Sequence, residues 1–331
     1  MSDPPPGSEQ SAYHIPVLVE EALAFLAPTP GATVLDATVG GGGHSAALLK
    51  RIEPGGLLIG LDRDPEALMA ARERLIPVSG TRTVFVHTGF GEMNAALAAL
   101  EGGDTIRLDA ALFDLGVSSH QLDTARGFSF RRDEPLDMRM DSTDDSRVTA
   151  AQLLATATET EVARLLWEYG DEKWSRRIAQ RIVAHRGQGN RLETTAQLAT
   201  LIEQSIPRGA WPRDIHVATR SFQALRIAVN DELGQLRAGL QGAMDRLSAG
   251  GRLVVISYHS LEDRIVKQMF AAWAGKSVSA PGSSPAALMP QMHREAEAIL
   301  LTRKPIVPSE SETARNPRSR SAKLRALRRN L

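Results

Sequence analysis

Four glycines in a row, Gly40 to Gly43, follow a carboxylate at Asp36 and run straight into His44 and Ser45. Asp36 closes a short β-branched and apolar run that begins at Thr33, and helix-compatible residues, Ala46 to Arg51, come next. That order reads as strand, tight loop, helix. Glycines in such a loop let the backbone approach a ligand closely and present free N–H groups at a helix start, a setting for something small and polar. Polar residues end four other apolar runs in the same way: Asp62 after Leu57–Leu61, His87 after Thr83–Val86, Asp114 after Ala110–Phe113, and Ser257 after Arg252–Ile256. Any one of them has the plain alternative of a cap or turn residue. Their repetition argues for a shared cleft.

The elements that must position these residues are legible from pattern. The apolar runs are continuous rather than alternating, and helical patterns separate them, as in a parallel, doubly wound sheet buried on both faces. The class is therefore α/β and Rossmann-like, and in such sheets ligands sit at the carboxyl ends of the strands. Asp36, Asp62, His87, Asp114 and Ser257 are expected to converge there. A helix is predicted over His14–Ala27. From Val148 to Ser205 only helical patterns occur, over Val148–Ala155, Thr160–Tyr169, Trp174–His185 and Thr194–Ser205, with Thr160 and Thr194 as N-caps. These predict an all-helical insertion over residues 136–215, carried on a discontinuous domain of residues 14–135 and 216–331. A single long helix, Arg220–Leu247, would return the chain to the sheet. Residues 1–13 read as a disordered leader, residues 274–290 as a mobile loop, and Ala298–Pro305 as a last strand.

The chain has 331 residues, 42% hydrophobic and 24% charged, which is ordinary for a soluble globular protein. No apolar run is long enough to span a bilayer, so no membrane role is expected. The first residues lack the basic and apolar blocks of a secretory signal, and the complete lack of cysteine excludes disulfides and thiolate metal sites. A cytoplasmic protein fits these features. The eight histidines are scattered without ligand spacing, so no metal site is predicted. The formal net charge of zero hides a polarised tail: Arg315, Arg318, Arg320, Lys323, Arg325, Arg328 and Arg329 fall after Thr313 with no acid among them. Such a tail is either a solvated end or the electrostatic footprint of a polyanion binder. Arg176, Arg177, Arg181, Arg186 and Arg191 give the helical insertion a second candidate phosphate contact.

Two cofactors favour a glycine loop after the first strand. A nicotinamide dinucleotide register is met nominally by Gly41, Gly43 and Ala46, with Asp62 nineteen residues beyond Gly43. With four glycines in a row some register always fits. S-adenosylmethionine explains more of the residues: Asp36 leading into the loop, Asp62 for ribose hydroxyls, and Asp114 at the fourth strand. Carboxylates suit its sulfonium and ammonium charges, and backbone N–H groups suit its carboxylate. An acid at Asp36 is an odd neighbour for a pyrophosphate.

The stretches Asp114–Asp123 and Arg126–Asp141 sharpen the identification. Together with His14–Leu18, Asp36–Ser45, Ala218–Asn230, Ile256–Arg264 and Asn316–Arg325, in the same order along nearly the whole chain, they resemble the bacterial 16S rRNA (cytosine-N4)-methyltransferase family called RsmH or MraW. The resemblance implies a class I S-adenosylmethionine-dependent methyltransferase with a helical insertion. Its reaction would be methyl transfer to the exocyclic N4 of a decoding-region cytidine in the small ribosomal subunit. It also implies cofactor contacts at Gly42, Gly43, His44, Asp62, Phe90, Asp114 and Gln121, beside Asp36 and Gly41 from the loop itself, and RNA contacts along the tail at Arg315, Arg318, Arg320, Lys323 and Arg325. A homodimer is compatible with the sequence. Related amino-methyltransferases place prolines and an aromatic after the fourth strand, which Asp114–Ser119 lacks. The residue that orients the target amine therefore stays open among Ser118, Ser119, Asp137, Tyr258 and His259, each of which could equally be a hydrogen-bonded loop residue. Asp137, amid Arg131, Arg132 and Arg139, has a structural ion pair as its alternative.

Overall fold

The computed structural model of the chain describes residues 16–75, 80–116, 124–144, 146–276 and 295–331. The leader (residues 1–13), most of the expected loop over 274–290, and Ser118, Ser119 and Gln121 lie outside the described residues. Seven strands form one sheet: β1 (Thr33–Asp36), β2 (Leu57–Asp62), β3 (Arg82–His87), β4 (Leu108–Asp114), β5 (Leu247–Ser257), β6 (Ala298–Leu300) and β7 (Lys323–Arg329). Their order is β3-β2-β1-β4-β5-β7-β6. The first five are parallel, and β7 runs antiparallel between β5 and β6.

Continuous apolar runs become strands here because both faces are covered. Leu35, Ile59, Phe113 and Val255 point into one apolar cluster, while Val34, Leu58, Leu112 and Val254 point into another. The period-two alternation of a strand thus fills two cores rather than one core and a wet face. Helices α1 (Val19–Leu26), α2 (Gly43–Ile52) and α3 (Pro65–Arg74) cover the second face. On the first lie α4 (Met93–Ala98), α10 (Glu232–Arg246) and α11 (Ser260–Trp273).

The helical layer comprises α5 (Ala150–Thr156), α6 (Glu159–Gly170), α7 (Ser175–Gly187), α8 (Thr195–Ser205) and α9 (Thr219–Asn230). Its apolar cluster includes Phe128 and, on α9, Phe222, Leu225 and Val229, so the layer reaches past the boundaries 136 and 215 expected from sequence. The cap of α6 is Thr158 rather than Thr160, because Thr158 and Glu161 satisfy each other's backbone N–H groups in a capping box. Thr194 caps α8 as expected. The long helix expected over Arg220–Leu247 is two helices. Asp231 takes a left-handed conformation (φ 48°), which a short polar side chain tolerates, and the chain turns from α9 into α10. A short α12 (Glu310–Arg315) precedes β7.

The break matters because Asn230, 1% exposed, joins the layers. Its side-chain amide donates to Met138 O (2.8 Å) and accepts from Met140 N (2.9 Å), while its carbonyl accepts from Arg63 Nη1 (3.0 Å). The segment that carries Met138 and Met140 is also fastened by Arg126, whose guanidinium donates to Met140 O and to buried Asp64, the α3 N-cap, at 2.7 Å and reaches Glu66 at 2.8 Å. Exposed ion pairs are worth little, but removing one member of a buried pair leaves a charge stranded. Arg126→Ala is therefore expected to lower unfolding free energy by about 3–5 kcal/mol, read by chemical denaturation.

Candidate active site

The glycine loop is shaped by the residues around it. Gly40 (φ 50°) and Gly42 (φ 76°) take left-handed conformations that side chains disfavour, and Gly42 is the residue from which α2 starts. Asp36, 1% exposed, accepts from Ser45 Oγ (2.6 Å) and Thr38 N (3.2 Å), and so braces the loop from behind. Burial raises its carboxyl above the usual range, against those hydrogen bonds and the nearby His44. Asp62 accepts from Gly40 N (2.8 Å) and Asp64 N (2.9 Å), and burial, opposed by these two bonds, pushes its carboxyl up to about 6.

A cavity of ≈ 360 Å³ opens at the carboxyl ends of the strands. Gly41, Gly43, His44, Asp62, Phe90 and Asp114 line it, as do Tyr258 and His259. Asp36 and Gly42 stand behind the wall, since their work is to hold the loop. The expected convergence of five strand ends is corrected in three places. Asp36 is turned to Ser45; His87 is not among the lining residues and lies 3.0 Å from Asp141, bonded to Arg63 O; Ser257 is buried against Lys323 O. Asp137 is also no part of the cavity wall: Arg139 grips it twice, Nε at 2.8 Å and Nη2 at 2.9 Å, so the structural ion pair is what forms.

Asp114 gathers several segments. Its N–H donates to Thr38 Oγ1 (2.8 Å), one carboxylate oxygen accepts from the Tyr258 hydroxyl (2.8 Å), and the other lies 3.4 Å from His44 Nδ1. His44 Nε2 is 2.9 Å from Val17 O, which fixes the ring. Burial and the Asp114 charge raise the Tyr258 phenol well above its usual value, so the hydroxyl stays protonated and donates. The Tyr258 ring lies over Gly116, where a Cβ would come within 3.1 Å of it. Phe90 makes an edge-on contact with Phe113 at 5.6 Å, beneath Gly239 of α10.

The stretch of wall beyond Tyr258 was not foreseen from sequence. Arg226 (α9) donates to Glu232 (α10) through Nε at 2.8 Å and Nη2 at 2.9 Å. Burial lowers the guanidinium's affinity for its proton, but Glu232's charge and hydrogen bonds more than offset this. Glu262 accepts from Tyr258 N (2.8 Å) and His259 N (3.3 Å) in the cap of α11. Burial pushes its carboxyl up, yet His259, the Tyr258 amide and Arg226 bring it below the usual range. Glu232, His259 and Glu262 each offer an atom within 4.8 Å of the others. Sequence spacing hid this trio because two helices bring it together. Both oxygens of Glu232 already hold Arg226, and a divalent ion would face that guanidinium. The signal available in the sequence was Arg226 followed by Asp231 and Glu232 at a helix break.

The tail departs from expectation more sharply. Lys323 and Arg325 are residues of β7, not a free arm: Arg325 Nε donates to Asp263 at 2.7 Å with 9% exposure, and Lys323 lies 3.7 Å from the same acid. Arg315, Arg318 and Arg320 remain exposed, and Arg318 reaches the cavity wall. In the helical layer Arg176, Arg177 and Arg181 are exposed, whereas Arg186 is spent on Leu154 O and Ala157 O, both 2.9 Å. Among the described residues no helix is long and apolar enough to cross a membrane.

The cavity fits S-adenosylmethionine. Its size is that of a small-molecule site, a helix start with close backbone faces it, and Asp62 and Asp114 supply negative charge for a cationic ligand. Ribose hydroxyls would meet a weaker acceptor once Asp62 is protonated. Affinity for S-adenosylmethionine is accordingly expected to fall as pH drops through about 6, and Asp62→Asn should bind weakly and lose that step, as measured by calorimetric titration from pH 8 to pH 5.

A model of the MraW methylase family matches residues 11–330. The chain is 51% identical to the ribosomal RNA small subunit methyltransferase H of Geobacter sulfurreducens, over 95% of this chain and 97% of the relative. It is 50% identical to the proteins of that name from Heliobacterium mobile and Symbiobacterium thermophilum, again over 95% of this chain and over 97% and 96% of the relatives. The chain belongs to the MraW methylase family and is a methyltransferase whose methyl donor is S-adenosylmethionine.

Proposed function

We propose that this methylase transfers a methyl group, by direct displacement, to the exocyclic N4 of a cytidine in the decoding region of 16S rRNA, acting in the cytoplasm on the small ribosomal subunit. The relatives' names support small-subunit rRNA as the substrate class. The observation that carries the amine as target is the Tyr258–Asp114 pair. The aromatic missing after β4 is supplied from the end of β5, with its hydroxyl 2.8 Å from Asp114 and its ring on Gly116.

Gly41, Gly43, His44, Asp62 and Phe90 would hold S-adenosylmethionine, which supplies an electrophilic methyl carbon. The remaining task falls to this chain's own residues. A cytosine amine is a poor nucleophile because its lone pair is delocalised into the ring. The Asp114 carboxylate can accept one of its N–H bonds, aligning the nitrogen and favouring its pyramidal form. Tyr258 keeps that carboxylate in one orientation and offers a ring face for stacking against an extruded base. No strong base is needed, because the amine proton becomes acidic as the new bond forms. His259 holds the α11 cap and acts indirectly. Exposed Arg315, Arg318 and Arg320, with Arg176, Arg177 and Arg181 on α7, form the phosphate contacts of this reading.

Labelled S-adenosylmethionine supplied with unmodified small subunits, naked rRNA or DNA is expected to give N4-methylcytidine in the small-subunit rRNA on nucleoside analysis. Its absence from every reaction would overturn the assignment. Tyr258→Phe, which removes one hydrogen bond to a charged group, is expected to lower kcat by roughly 10- to 100-fold while leaving the donor's Kd near wild type.

A further inference from the structure

Arg226 lines the cavity and has no task in holding the donor. Arg226 is held rigidly by Glu232 through Nε and Nη2, and its side chain is 15% exposed where it lines the cleft. Among the described residues no hydrogen bond is made by its Nη1. A guanidinium anchored along one edge presents its remaining N–H groups in a fixed fork. The network it belongs to is continuous with the amine site: Glu232 meets His259 and Glu262, Glu262 accepts from Tyr258 N, and the Tyr258 hydroxyl holds Asp114.

A cytosine displays its amine, then the acceptor N3, then the acceptor O2 along one edge. With the amine at Asp114, a donor further along the same wall meets acceptors. We infer that Arg226, held by Glu232, reads N3 and O2 of the target cytosine through the remaining N–H groups of Nη1 and Nη2 and is the residue that selects the base. Glu232 is its positioning partner. The pairing is nearly neutral in net charge, so it adds no repulsion to a cationic donor in the same cavity. A uracil would oppose N3–H to the Arg226 donors, and a site built to hydrogen-bond one edge rejects the analogue that leaves its buried donors unpaired.

This inference rests on the cytidine reading above, and the test separates the two. Small subunits are reconstituted with rRNA carrying either cytidine or 3-deazacytidine at the target, the latter replacing the N3 acceptor with C–H. The wild-type enzyme is compared with Glu232→Gln, which keeps the shape around Arg226, and with the double variant R226Q/E232Q, which removes both charges together and strands neither. The double variant is expected to lose roughly ten- to a hundredfold in kcat/KM on cytidine, the range of a bidentate base contact. Wild type should lose a similar factor on 3-deazacytidine, whereas the double variant should hardly distinguish the two substrates. Its Kd for S-adenosylmethionine should stay within a few-fold of wild type. Multiplicative losses, a wild-type rate in the double variant, or a large fall in donor affinity would each overturn the assignment of Arg226 to the base. If wild type yields no N4-methylcytidine at all, the functional reading fails and this inference falls with it; if it does yield that product, only the behaviour of Arg226 is being judged.

Discussion

A carboxylate at the end of a buried strand needs hydrogen-bond partners to offset its burial. Asp114 is held by three parts of the chain that are far apart in sequence. Thr38 meets its backbone from the β1 loop, His44 approaches from the first turn of α2, and Tyr258 donates from the end of β5. The register of the sheet makes this possible. Asp36 pairs with Leu112 and Asp114 with Ile256, so the ends of β1, β4 and β5 lie side by side at the point where strand order reverses. Shifting one strand by one residue would exchange its two faces and carry Phe113 out of its core.

A second constraint is the fastening of the helical layer. Asn230 ties Met138 and Met140 to Arg63, and Arg126 ties Met140 to Asp64. The same turn at Asp231 that breaks the helix aims Arg226 and Glu232 at the cavity. The joint between the layers and the second wall of the site are therefore one piece of structure. A substitution at the joint would be felt in the site.

The tail shows how formal charge differs from accessible charge. Counted in the sequence it carries seven positive groups, but β7 takes the last four into the sheet, where Arg325 neutralises Asp263 and Arg329 bonds the carbonyls that end α10. A buried arginine paired with a carboxylate has no spare charge for a phosphate. Arg315, Arg318 and Arg320, before β7, are the exposed arginines of the tail.

Much of the fold was legible because it depends on local pattern: apolar runs of strand length, helical spacing between them, a carboxylate and four glycines at the first turn, and capping residues such as Thr194. By itself the sequence determined the parallel sheet and, through its long motifs, the family. It misplaced what depends on pairing across the chain. Arg325 was consumed by Asp263, 62 residues away. Tyr258 found Asp114 across 144 residues, and Arg226 met the cavity only because Asp231 adopts a left-handed turn. Those choices belong to the tertiary structure, because a polar side chain commits to whichever partner burial brings within reach, and sequence spacing does not carry that distance.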